Sequence, residues 1–169
     1  ILGYGNVIRN NKFSRHGSKA DCEGLLFEWD LSDNNLVTGN RFTDVMSGID
    51  FQGGDGNRIQ NNVIYASSET SRGGVELGSY DNRTTWPCND WNITNSLNQY
   101  FPYLSKPHNC HSQNNVIRNN TISGFRVGVL MYPITDSSNV IMDNTITTAV
   151  IQPPVLFAFN FEVTLAPDN

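Results

Sequence analysis

Apolar and polar positions alternate in five near-copies of one phrase: GNVIRNNKF at 5–13, NNLVTGNRF at 34–42, GNRIQNNVI at 56–64, NNVIRNNTI at 114–122 and SNVIMDNTI at 138–146. The recurring apolar residues are Ile8 and Phe13, Val37 and Phe42, Ile59 and Ile64, Ile117 and Ile122, Ile141 and Ile146. Alternation built from β-branched and aromatic residues predicts half-buried strands. Each phrase has an Asn at its second position (Asn6, Asn35, Asn57, Asn115, Asn139) and carries another five residues on (Asn11, Asn40, Asn62, Asn120, Asn144). These Asn residues bracket a short strand and are expected where the chain bends, since Asn tolerates left-handed backbone and bonds its own main chain in turns. Stacked at equivalent positions, their amides can also bond one another in a ladder. The first Asn recurs at spacings of 29, 22, 58 and 24 residues. Self-similarity at such a period marks a stack of repeating units.

A further strand follows each phrase: Gly24–Phe27, Gly48–Phe51, Gly74–Leu77 and Gly128–Met131, with Pro154–Phe157 in the last unit. The Gly is read as a bend that turns the next apolar residue inward. Inward residues are then Leu25/Phe27, Ile49/Phe51, Val75/Leu77, Val129/Met131 and Val155/Phe157. The outward column between them is Leu26, Asp50, Glu76, Leu130 and Leu156.

A unit of 22–24 residues, short strands and stacked Asn resemble the right-handed parallel β-helix, the pectate-lyase-like superfold with its NxI-xxN-xI repeats, as in NosD-type and carbohydrate-active β-helix proteins. The resemblance implies an all-β, single-stranded solenoid of about five to seven coils with one long loop insertion. A leucine-rich repeat fits less well, because the LxxLxL pattern is missing. The same coil serves many tasks, so the resemblance speaks to fold more than to function.

Composition agrees with a solenoid. The chain has 169 residues, enough for one domain over 1–169, with 147–169 as last coil and C-terminal segment. Charged residues are only 16% while Asn numbers 23, suiting turn-rich stacked coils. Net charge is −5 with a pI near 5.0, and there is no Lys/Arg run, which argues against nucleic acid as a partner. No apolar stretch reaches the roughly 18 residues of a membrane span. The chain starts at Ile1, close to the first repeat and without a cap, so it is expected to belong to a larger protein or to stack on further coils or copies of itself. Cys88 and Cys110 fall in one insertion that a disulfide could staple, which suits a secreted or cell-surface location. Asn82, Asn92 and Asn119 open N-glycosylation sequons, a number expected by chance in a chain so rich in Asn, Ser and Thr.

Candidate chemistry gathers where the period fails. The 58-residue gap holds one coil plus an insertion over 78–113, rich in aromatic residues and carrying Trp86, Trp91, His108 and His111. Long loops without repeats are usually functional or disordered, and this one is too aromatic for disorder. It is expected to fold over the outer face of the neighbouring strand, with Trp86 and Trp91 stacking on sugar rings; a loop packed on itself is the alternative. Asp50 and Glu76 fall on adjacent coils of the outward column, about 4.8 Å apart. Stacked carboxylates raise each other's proton affinity, as a general acid and its base or nucleophile require, and with neighbouring carbonyls they could hold Ca²⁺. Arg72 and Arg126 share a column and could clasp an acidic sugar, with Glu28, Tyr132 and His108 alongside. The competing explanation is scattered surface charge worth little energy.

His108 and His111, three residues apart, have no evident third ligand, so no metal site is assigned. The NTD, paired-Asp, GHG and RxK motifs of pectin-hydrolase-like β-helices and the DPHD motif of alginate epimerases are absent, and the lyase-type Lys/Arg signature cannot be placed. The leading expectation is an extracellular domain that binds or processes an extended polysaccharide, an acidic one if Arg72 and Arg126 clasp it, by lyase-, hydrolase- or epimerase-type chemistry. The alternative is a non-catalytic stalk or adhesive segment. Three Met and three scattered His speak against copper transfer.

Overall fold

In the computed structural model the chain is described over residues 3–14, 23–27, 32–51, 53–67, 73–78, 112–132, 138–148 and 155–157. Every described element is a strand: β1 (Val7–Arg9), β2 (Lys12–Ser14), β3 (Glu23–Phe27), β4 (Leu36–Thr38), β5 (Arg41–Thr43), β6 (Ser47–Phe51), β7 (Arg58–Gln60), β8 (Val63–Tyr65), β9 (Gly73–Leu77), β10 (Val116–Arg118), β11 (Thr121–Ser123), β12 (Val127–Met131), β13 (Val140–Met142), β14 (Thr145–Thr147) and β15 (Val155–Phe157). They form three five-stranded sheets in the orders β1-β4-β7-β10-β13, β2-β5-β8-β11-β14 and β3-β6-β9-β12-β15. Pairing is parallel throughout. Each coil therefore gives one strand to each sheet, and the molecule is a parallel β-helix. Among the described residues no helix is long and apolar enough to cross a membrane.

The repeated phrase is thus two strands rather than one. It breaks between them at the second Asn, where the chain turns from the first sheet to the second. The left-handed backbone lies one residue before every ladder Asn except Asn139. Asn10, Asn61, Asn119 and Asp143 take φ of 57°, 57°, 54° and 55°, and Gly39 takes 65° at the same corner. Asn34 and Asn114 do the same at the first corner, beside Gly5 and Gly56. This corrects the expectation that the ladder Asn itself makes the bend. The preceding Asn, Asp or Gly supplies the conformation these residues tolerate best, and the ladder Asn supplies the hydrogen bonds.

Those bonds run through successive coils. Asn40 donates from its backbone N–H and its Nδ2 to Asn62 Oδ1 at 2.9 and 3.1 Å. Asn62 does the same to Asn120 Oδ1, both at 3.0 Å, and Asn120 to Asn144 at 3.0 and 2.9 Å. The second amide proton returns to a carbonyl of the preceding coil: Asn62 to Val37 at 3.0 Å, Asn120 to Ile59 at 3.0 Å. The first column repeats this from Asn6 through Asn35 and Asn57. The pattern is incomplete at the long insertion: Asn57 keeps its backbone bond to Asn115 Oδ1 at 2.8 Å, but its buried Nδ2 makes no bond, and Asn115 reaches Asn139 Oδ1 through its backbone N–H at 2.9 Å. Six of the ladder Asn residues are buried, which is tolerable because their side-chain amides, Asn57 Nδ2 apart, are bonded.

The core is a column of matched side chains. Ile8, Val37, Ile59, Ile117 and Ile141 stack from the first sheet, and Phe13, Phe42, Ile64, Ile122 and Ile146 from the second. Phe13 on Phe42 and Phe27 on Phe51 are parallel ring pairs with centroids 4.6 and 4.3 Å apart. The terminal members Ile8, Phe13, Ile141 and Ile146 are only half-buried. The glycines opening the third-sheet strands are required by close approach. A Cβ on Gly24 would meet both the Gly48 carbonyl oxygen and Phe42 Cδ1 at 2.5 Å, and one on Gly48 would overlap the Gly74 carbonyl and the Ile64 side chain. Gly48→Ala is therefore expected to destabilise the fold by about 2 kcal/mol or more, as overpacking does. A thermal melt unchanged from wild type would sink this account.

Candidate functional site

The third sheet carries the carboxylates. Asp50 pairs with Glu76 across β6 and β9, between the flanking pairs Ile49–Val75 and Phe51–Leu77. Ile49, Phe51, Val75 and Leu77 fill the core, so the alternation turns Asp50 and Glu76 to the sheet's other face. The expected register is therefore present. The expected solvated column is not: Asp50 is 1% and Glu76 0% exposed. Strand alternation tells inside from outside, but it does not tell whether the outside meets water.

The Glu76 carboxylate is held from three directions. Ser47, one coil back at the start of β6, donates its hydroxyl to Oε1. Gly73, in the same strand, donates its N–H to Oε1 at 3.2 Å. Tyr132, one coil on and just past β12, donates its hydroxyl to Oε2 at 3.0 Å. Gly73 is also what makes room, since a Cβ there would lie 2.7 Å from Glu76 Cγ. Three donors on one buried carboxylate offset much of the cost of taking its charge out of water. Asp50 is hydrogen-bonded or otherwise engaged as well. In the same column Leu26 and Leu130 are half-buried, so the two carboxylates sit between aliphatic neighbours.

Of the other sequence-predicted residues, Tyr132 is brought into the site and is half-buried. Arg126 is exposed just before β12. Asn119 is exposed at a left-handed corner, and the next residue of its sequon, Asn120, belongs to the ladder. Arg72, Glu28, Trp86, Trp91, His108, His111, Cys88, Cys110, Asn82 and Asn92 lie outside the described residues, as does most of the insertion over 78–113. Sequence reasoning missed Ser47 and Gly73. Both stand one residue before the repeated Gly of the third sheet, in register with Glu23 and Val127, so a polar or missing side chain at that position was the available signal.

A protein-family model described as "Periplasmic copper-binding protein (NosD)" matches residues 4–160. The chain belongs to the NosD family. No curated protein and no solved structure matched. The NosD description names copper, whose preferred protein donors are thiolate, thioether and imidazole. Among the described residues no group of three or more His, Cys, Asp or Glu could hold a metal ion. The described methionines stand apart, Met131 in the core, Met46 before β6 and Met142 on the outer side of β13. The described residues of this NosD-family chain thus do not fit copper. Its three His and three Cys lie outside them.

Proposed function

We propose that the chain is an extracytoplasmic β-helix domain that binds or processes an extended polysaccharide, with Asp50 and Glu76 buried beneath its working face. The observation that carries this reading is the burial of two carboxylates on adjacent coils of one column. A solenoid wall needs neither, since Leu26 and Leu130 serve the same column on flanking coils. Replacing a whole buried polar cluster by well-packed apolar residues is often neutral or stabilising, so the fold alone gives no reason for the carboxylates together with their donors Ser47 and Tyr132. Buried titratable clusters are typical of functional sites. The family's periplasmic description supports a location outside the cytoplasm.

In this reading Glu76, positioned by Ser47, Gly73 and Tyr132, and Asp50 beside it supply acid/base or cation-holding groups, while Arg126 contacts charged groups of the glycan. The test is product release from a panel of neutral and acidic polysaccharides by wild type, Asp50→Asn and Glu76→Gln, with circular dichroism to confirm folding. Loss of product in both folded variants is expected. Undiminished product would remove the site assignment. Wild-type inactivity on every glycan would leave the solenoid as a binding or structural segment.

A further inference from the structure

The outer faces of the first two sheets separate charge by sign. On their strands the outward positions include Arg9, Lys12, Arg41, Arg58 and Arg118, all exposed, and no acidic residue. The protein as a whole is acidic, at −5. Its described carboxylates are placed elsewhere. Asp33 and Asp55 accept backbone N–H bonds at the corner leading into the first sheet, at 2.8 and 3.0 Å. Asp50 and Glu76 are buried on the third sheet, Glu23 lies on β3, Asp44 sits at the corner after β5, and Asp143 is exposed at the second-ladder corner of the fifth coil, one coil beyond Arg118.

Four of the five cations flank one feature, the second Asn ladder. Arg9 and Arg118 are the last residues of β1 and β10 before that corner, and Lys12 and Arg41 the first residues of β2 and β5 after it. Lys12 and Arg41 are direct register partners, two like charges on neighbouring coils. Arg118 is oriented by donating from Nε to Gln60 Oε1 at 3.0 Å, and Gln60 is its register partner. From the first coil to the fourth the ridge rises about 14 Å, three strand spacings. The rigid ladder beneath fixes these spacings before any ligand arrives, which lowers the cost of binding.

Building on the polysaccharide reading above, we infer that this ridge binds an acidic polysaccharide, one whose uronate or sulfate groups recur along an extended chain. Like charges on adjacent coils disfavour the bare surface and favour an anionic chain laid along it. Thr38 and Thr121 share the cation columns, and Thr43 and Ser123 lie beside them at the far end of β5 and β11, hydroxyls suited to sugar hydroxyls; Tyr65, 39% exposed, offers a single ring. Single-stranded nucleic acid, by contrast, is gripped by successive aromatic platforms, and these faces present one Tyr.

The test is affinity electrophoresis and calorimetry of the full chain against polygalacturonate, a neutral glucan, and single-stranded DNA. The variants are Arg9→Gln/Lys12→Gln/Arg41→Gln/Arg118→Gln and the charge reversal Lys12→Glu/Arg41→Glu, with melting curves as the folding control. Wild type is expected to retain polygalacturonate and not the glucan, to lose affinity as salt is raised, and to bind about tenfold or more weaker in the neutralised variant. Unchanged affinity in the folded variants, no binding of polygalacturonate by wild type, or tighter binding of DNA would each overturn the ridge. The two readings fail separately. Product release that survives ridge neutralisation and disappears in Glu76→Gln removes the ridge alone; retention by the ridge with no product from any glycan removes the Asp50–Glu76 reading alone.

Discussion

Replacing Asn120 with Ala is expected to lower stability by about 3–5 kcal/mol, which for a domain of this size is a drop in Tm on the order of 10 °C. The amide of Asn120 makes four bonds. Its Oδ1 accepts from the N–H and Nδ2 of Asn62, both at 3.0 Å, and its Nδ2 donates to Asn144 Oδ1 at 2.9 Å and to the Ile59 carbonyl at 3.0 Å. Removing it strands the backbone N–H of Asn62, itself only 1% exposed, and takes one bond each from Asn62 Nδ2, Asn144 Oδ1 and the Ile59 carbonyl; buried polar groups without partners cost about 1–3 kcal/mol each. Asn120→Asp is expected to be no better. One oxygen keeps the two bonds from Asn62, but the other faces two acceptors, Asn144 Oδ1 and the Ile59 carbonyl, and carries a charge into a buried site. Asn6→Ala is the control, because Asn6 is exposed at the end of its column and, among the described residues, its side chain bonds only Asn35 Oδ1, at 2.9 Å; a loss of about 1 kcal/mol or less is expected. Chemical denaturation of the three variants measures the contrast. Equal losses for Asn6→Ala and Asn120→Ala would mean that burial of the ladder does not set its worth.

This ladder was the most legible part of the molecule. Each bond in it joins Asn residues that the repeated phrase had already aligned, and the register Asp50–Glu76 followed from the same alignment. The inward residues were legible too, because alternation is a property of the strand itself. What escaped were features set by backbone and by space. Asn11 and Asn40 look like turn residues in a list of letters, yet the residues with positive φ are their predecessors, Asn10 and Gly39. Composition cannot distinguish them, since either member of an Asn-Asn pair could take the turn. The closed surroundings of Glu76 escaped for another reason. Tyr132 was expected alongside, as a substrate contact and not as a donor to Glu76, and Ser47 was missed; they lie 56 and 29 residues away in sequence and belong to no shared motif. Only the superposition of three coils brings them to one carboxylate.

Glu76→Leu is expected to cost about 2–4 kcal/mol although leucine is the residue at this column in the coils bearing Leu26 and Leu130. The shape of the side chain is not the difficulty. Three donors converge on Glu76, from Ser47, Gly73 and Tyr132, and leucine would leave all three without an acceptor. Glu76→Gln keeps a carbonyl oxygen for two of them and removes the charge beside Asp50, so it should cost roughly 1 kcal/mol or less. Tyr132→Phe removes one donor, at 3.0 Å, and should lie near Glu76→Gln. The pair forms a double-mutant cycle. If Tyr132 acts on Glu76 through that one bond, the coupling between Tyr132→Phe and Glu76→Gln should be about 0.5–1.5 kcal/mol. Additive losses would place the tyrosine's effect elsewhere. The functional consequence separates from the thermodynamic one. Glu76→Gln should be nearly as stable as wild type yet inactive if the carboxylate does chemistry, whereas a purely structural carboxylate would leave binding and turnover in proportion to the folded fraction. Denaturation midpoints measured beside polysaccharide binding and product release, on the same preparations, decide between them.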